Sequence, residues 1–267
     1  MTELELFKEK IADKSVNTQK AYITQYKKLY NLLKKNIAET SERLILKTIK
    51  EGVDNANSRQ ALLNIAILIR QGDNTELIAY REKLKVEIKD AQRQNNQVLQ
   101  ETLPSYDELV EYTESLKGKN DLYYILNYLL MNYNVRNEDL HFKLITRKKE
   151  AEDTNFNYIW LSPKKVEYIR NVYKTANNYG QKLYIITDKS FMSAVRRLIK
   201  DSWEAPAMEQ MPYIIKKATL LGIGEAKYLK IIINHFRNDI DKLKQISERR
   251  GTSLITLMDS YDIGNLD

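Results

Sequence analysis

Tyr158-Ile159-Trp160-Leu161-Ser162-Pro163-Lys164-Lys165-Val166-Glu167-Tyr168-Ile169 is where the apolar period of this chain changes. The segments before it repeat their apolar residues at helical spacing. These two runs are instead short, rich in β-branched and aromatic residues, and parted by Ser-Pro-Lys-Lys, which reads as a turn. A third run, Lys182-Leu183-Tyr184-Ile185-Ile186-Thr187, follows Asn177-Asn178-Tyr179-Gly180. Three adjacent runs predict a small antiparallel sheet of three strands in a chain that is otherwise mainly α.

Working outward, Tyr106 to Leu116 and Asp121 to Tyr133 are apolar-periodic and predict helices upstream of the sheet. Pro104 precedes them and Ser105 offers a helix cap, so the domain boundary is placed near Gln100 to Pro104. That gives a helical domain over 1–100 and a second domain over 101–267. In the first, Ser15-Val16-Asn17-Thr18 caps a helix carrying Tyr22, Tyr26, Leu29 and Leu33, and Ser58-Arg59-Gln60 opens another. Thr75 to Gln100, charged and amide-rich, reads as one extended helix. From Ser190 onward the pattern is helical again.

The charge is +7, with 43 Lys+Arg against 36 Asp+Glu, and it is uneven. Between His141 and Lys200 there are 13 basic residues and five acidic ones, which favours a surface that faces a polyanion. No cysteine occurs, so disulfides and thiolate metal sites are excluded, and the only histidines, His141 and His235, do not make a zinc motif. No apolar run approaches ~18 residues and no signal peptide is read, so the chain is expected to be soluble and intracellular, in cytoplasm or nucleus/nucleoid.

Four segments carry candidate chemistry: Arg136-Asn137-Glu138-Asp139-Leu140 after an apolar helix, Tyr173-Lys174-Thr175, Lys227-Tyr228-Leu229-Lys230, and Arg250-Gly251-Thr252-Ser253 followed by Tyr261. In that order they resemble the motifs of the tyrosine recombinase (phage-integrase-like) family. Ser15-Val16-Asn17-Thr18-Gln19-Lys20-Ala21-Tyr22 is similar to the opening helix of that family's DNA-clamping domain.

The resemblance implies a two-domain clamp on double-stranded DNA, alone or as a homo-oligomer, with no metal and no cofactor. Tyr261 would be the nucleophile, and Arg136 and Lys230 would stabilise charge on the phosphate. A guanidinium suits that place because its planar fork can hold two phosphate oxygens. Lys174 would protonate the leaving sugar oxygen. Lys164, Lys165, Lys227, Arg249, Arg250 and Thr252 are the expected DNA contacts. The chain departs from the family at Thr252 and Lys227, where a histidine is usual, and at Lys230 in place of the second arginine. His235-Phe236-Arg237 lies too close to Tyr261 for the family register. Two readings follow, an enzyme that breaks and rejoins DNA and a non-catalytic protein that keeps the clamp. The basic 141–200 segment counts against a third, a helical interaction module without nucleic acid.

Overall fold

The computed structural model describes residues 1–70 and 72–262, and of Gln97 the backbone only. The chain forms two compact units that part between Asn95 and Asn96. The first holds α1 (Glu3–Lys10), α2 (Val16–Leu33), α3 (Glu42–Gly52), α4 (Ala56–Ile69) and the first part of α5 (Thr75–Thr102). Local chemistry starts these helices. Thr2 and Glu5 form a reciprocal capping box, and the Ser15 and Asn55 side chains accept from the amides of Thr18 and Ser58. Phe7, Leu29, Ile45, Ile49, Leu62, Leu63 and Ala66 then meet in one core, with Leu77 and Leu84 of α5. Each Leu or Ile so buried stabilises the unit by about 1.5–3 kcal/mol.

The second unit contains α6 (Tyr106–Ser115) and α7 (Asp121–Tyr133), then β1 (Phe142–Ile145), β2 (Asn157–Leu161), β3 (Val166–Arg170), the single turn α8 (Ala176–Tyr179) and β4 (Lys182–Ile186). After the sheet come α9 (Lys189–Lys200), α10 (Met211–Ala218), α11 (Glu225–His235), α12 (Ile240–Arg250) and α13 (Leu254–Tyr261). Helix α7 is apolar almost all round and sits in the core. Its buried polar residue, Asn127, donates to the Ala218 carbonyl at 2.8 Å and accepts from the Tyr228 hydroxyl at 3.1 Å. One side chain thus ties α7 to α10 and α11.

The sheet corrects the three-strand antiparallel expectation. It has four strands in the order β1-β2-β3-β4, and β1 runs parallel to β2 with Phe142 opposite Asn157. β1 has only four residues and reaches its partner through a longer connection rather than a tight turn, so no hairpin signal marks it. The predicted turn is present, with the Ser162 amide donating to the Lys165 carbonyl at 2.9 Å, and β2–β3 and β3–β4 are antiparallel. Ile159, Val166, Tyr168 and Ile186 face the main core, while Ile145, Tyr158 and Ile169 form a smaller cluster. Among the described residues no helix is long and apolar enough to cross a membrane.

Candidate active site

The β3–β4 connection is shaped by one buried side chain. Asn157, at the start of β2, accepts from the amides of Asn171 and Val172 and donates to the Val172 carbonyl at 2.9 Å. Further on, the Tyr173 hydroxyl donates to the Gly180 carbonyl at 2.6 Å and closes the segment. Lys174 is exposed at this bend, with no hydrogen bond or ion pair among the described residues. Thr175 and Lys182, to either side of α8, point to the C-terminal end of α12.

That helix end organises the site. Gly251 adopts the left-handed conformation (φ 63°, ψ 56°) and α12 stops there. The Gly251 amide donates to the Glu248 carbonyl at 3.1 Å and the Thr252 amide to that of Ser247 at 3.0 Å. The carbonyls of this end are met by cations from three other elements and by one hydroxyl. Lys182 Nζ donates to Glu248 and, at 3.2 Å, to Arg249. Arg170 reaches the Arg249 carbonyl at 2.8 Å, Arg136 reaches that of Arg250 at 2.8 Å, and the Thr175 hydroxyl reaches that of Gly251 at 2.9 Å. The negative end of the helix dipole favours positive charge there. A Cβ on Gly251 would stand 2.5 Å from Thr175 Oγ1 and 3.3 Å from Lys182 Nζ, so this approach requires a glycine.

Arg136 follows Asn134, the left-handed residue that ends α7. The carboxylate three residues later orients it through the backbone, since Asp139 Oδ2 accepts from the Arg136 amide at 2.7 Å. That carboxylate is itself fully buried in an ion pair with Arg170. Burial pushes the Asp139 carboxyl up, and Arg170 pulls it back toward the ionised form. Burial, and then the neighbouring Arg250, hold the Arg136 guanidinium below its usual range. Burial first and then Arg170, with Arg136 adding to it, bring the Lys182 ammonium down to about 8.

Tyr261, at the end of α13 and half-buried, accepts at its hydroxyl from Arg250 Nη2 at 3.0 Å. Arg250 is only 2% exposed. Its Nη1 donates to the carbonyls of Asn134 and Val135, both at 3.2 Å, and its Nη2 is also ion-paired with Glu225, the first residue of α11. Arg136, Arg250, Tyr261 and Glu225 are therefore neighbours although they span 126 positions of sequence, counted from 136 to 261 inclusive.

Of the residues expected from the motifs, Arg136 and Tyr261 come together. Lys230 is half-buried and donates to Asn96 Oδ1 at 2.6 Å, with burial holding its ammonium below the usual range. Lys227 and Lys164 are exposed, and Lys165 is paired with Glu167 at 2.6 Å. Arg249 donates to the Asn132 carbonyl at 2.6 Å, while Thr252 is half-buried. Lys182, Glu225 and Arg170 are the site residues that motif reading missed. Lys182 opens a strand and Arg170 ends one, and neither position announces its partner. Glu225 lies beside the motif segment 227–230 rather than in it.

No family model matches the chain, and no curated protein matches it significantly by sequence. Among solved structures it is similar to "XerA recombinase", with 12% sequence identity over 98% of this chain and 94% of that one, at a TM-score of 0.39.

Proposed function

We propose that this chain binds duplex DNA and breaks and rejoins one strand through a transient phosphotyrosyl link at Tyr261. The observation that carries the reading is the Tyr261 hydroxyl held 3.0 Å from an arginine, with Arg136 beside the pair. Arg136 spends Nη1 on the Arg250 carbonyl, and its remaining N–H groups are the ones offered to phosphate oxygens. In the forward step the Tyr261 oxygen forms a bond to phosphorus and the bond from phosphorus to the sugar oxygen breaks. The leaving oxygen takes a proton from a lysine. Lys182 suits that task because an acid works best when its pKa lies near the working pH, and its own is about 8. Lys174, on the same connection, is the alternative donor, and Lys230 remains the second phosphate-binding cation implied by the motifs. Lys164, Lys165, Lys227 and Arg249 serve as backbone contacts to the DNA.

A second reading, a DNA-binding protein without catalysis, is favoured by one feature. Arg250 spends its Nη donors on carbonyls, Glu225 and Tyr261, and the Glu225 carboxylate puts negative charge where a phosphate must approach. Relaxation of supercoiled plasmid without ATP separates the two, because a transient nick releases supercoils wherever it forms. Relaxed topoisomers from the wild-type chain, none from Tyr261→Phe, and equal DNA binding by both would support the enzyme. Intact supercoils at saturating binding would leave only the clamp, and absence of binding at low salt would exclude both.

A further inference from the structure

We propose that Glu225 is the base that accepts the phenolic proton of Tyr261, through one water, with Arg250 fixing both oxygens. The proposal rests on the reading of Tyr261 as nucleophile.

One guanidinium nitrogen, Arg250 Nη2, donates to both the Glu225 carboxylate and the Tyr261 hydroxyl. Its two N–H bonds diverge by about 120° in the guanidinium plane, which sets the two acceptor oxygens roughly 4.5–5 Å apart. That is too far for a direct hydrogen bond and suits a single bridging water, a reach at which a general base still acts. The tyrosine oxygen accepts from Arg250, so its own O–H is left to donate elsewhere. Arg250 cannot swing away easily, because its Nη1 is anchored on the Asn134 and Val135 carbonyls.

Asp139 is fully buried against Arg170. The two histidines are engaged as well, His141 Nε2 with the Pro206 carbonyl at 2.9 Å and His235 stacked on Tyr106 with ring centroids 4.1 Å apart. Among the described residues, the charged groups that act on Glu225 include Arg250 from α12 and Arg136 from the turn after α7, and Tyr261 from α13 is a titratable neighbour. Lys216 of α10 also passes close, its Cε 3.9 Å from where a Cβ on Gly224 would stand. On its own helix, Lys227 is exposed.

The step balances. As the Tyr261 oxygen bonds to phosphorus, its proton passes to the water, which gives a proton to Glu225. The electron pair of the breaking bond leaves on the sugar oxygen, which is protonated by lysine. Rejoining runs the same transfers backward, and Glu225 returns its proton to the phenol.

The test uses the full-length chain and plasmid relaxation across pH. Glu225→Gln keeps an acceptor for Arg250 but removes the base, and general bases are worth roughly 10²–10⁴-fold in rate. Relaxation by Glu225→Gln should fall about 100-fold or more while DNA binding is unchanged. Its rate should then rise about tenfold per pH unit, as hydroxide replaces the lost base. Glu225→Asp keeps the charge and draws the carboxylate back, so it should slow relaxation at least tenfold and retain the wild-type pH profile. Formate should restore part of the activity of Glu225→Ala. If Glu225→Gln fails to fold, the aspartate variant decides alone, since a mere counter-ion to Arg250 would leave its rate at the wild-type value. Wild-type rates and pH profile in folded Glu225→Gln or Glu225→Asp would overturn the assignment. No relaxation by the wild-type chain would instead remove the nucleophile reading on which it rests.

Discussion

Gly251 joins the helix whose end gathers the cations to the helix that carries Tyr261, so Gly251→Ala probes both. Two costs can be worked from the structure. The left-handed backbone at φ 63° costs an alanine roughly 1–2 kcal/mol. The new methyl would stand 2.5 Å from Thr175 Oγ1, which must turn away and lose its 2.9 Å bond to the Gly251 carbonyl. That bond is worth about 1 kcal/mol. We expect Gly251→Ala to destabilise the second unit by about 2–3 kcal/mol in urea denaturation. Thr175→Ala alone should cost about 1 kcal/mol. The double variant should cost no more than Gly251→Ala, because the lost bond is counted only once and the clash is relieved. A Gly251→Ala protein within about 0.5 kcal/mol of wild type, or strict additivity in the double variant, would refute this picture of the helix end.

Further outcomes follow from the charges around this point. Lys182 carries its charge below pH 8 and loses it as pH rises through about 8, so duplex affinity measured by anisotropy should decline in that window. Lys182→Arg should abolish that decline, and Lys182→Ala should reduce the log–log salt slope by roughly 0.9. Stability has the opposite sign. Between pH 8 and the ordinary lysine value the unfolded chain binds the extra proton, so this residue's contribution to folding improves with rising pH, and Lys182→Met should flatten that rise. Asp139→Asn leaves the Arg170 guanidinium buried without its counter-charge and should cost about 3–5 kcal/mol in denaturant unfolding.

The helices and the β2–β3 turn were legible because each rests on local chemistry. Capping side chains sit at Ser15 and Ser105, the period is clear in Tyr106–Tyr133, and Ser162-Pro163-Lys164-Lys165 is a turn in composition and in geometry, while the helix expected from Ser58 starts at Ala56 behind the Asn55 cap. β1 was not legible, since a four-residue parallel strand is defined by a partner 15 positions away, as Phe142 is by Asn157. The site divides the same way. Arg136 and Tyr261 stand in recognisable spacings, and the fold makes them neighbours. Lys182 gains its role only because β4 delivers it to the carbonyls of α12, which no spacing within β4 records. Arg250 is expected as a DNA contact from the motif segment 250–253, whereas the fold buries it between Glu225 and Tyr261. A buried arginine with its counter-ion 25 positions upstream leaves no periodic trace.

Covalent capture on DNA detects the phosphotyrosyl link itself. Nicked duplexes of randomised sequence let the short 5′ fragment diffuse away after attack and so trap any protein–DNA adduct, which peptide mass spectrometry then maps. One adduct is expected, on the peptide containing Tyr261, absent from Tyr261→Phe and retained at reduced yield in Lys182→Ala. An adduct on any other residue, or none from a chain that binds the same duplexes tightly, would contradict Tyr261 as the nucleophile.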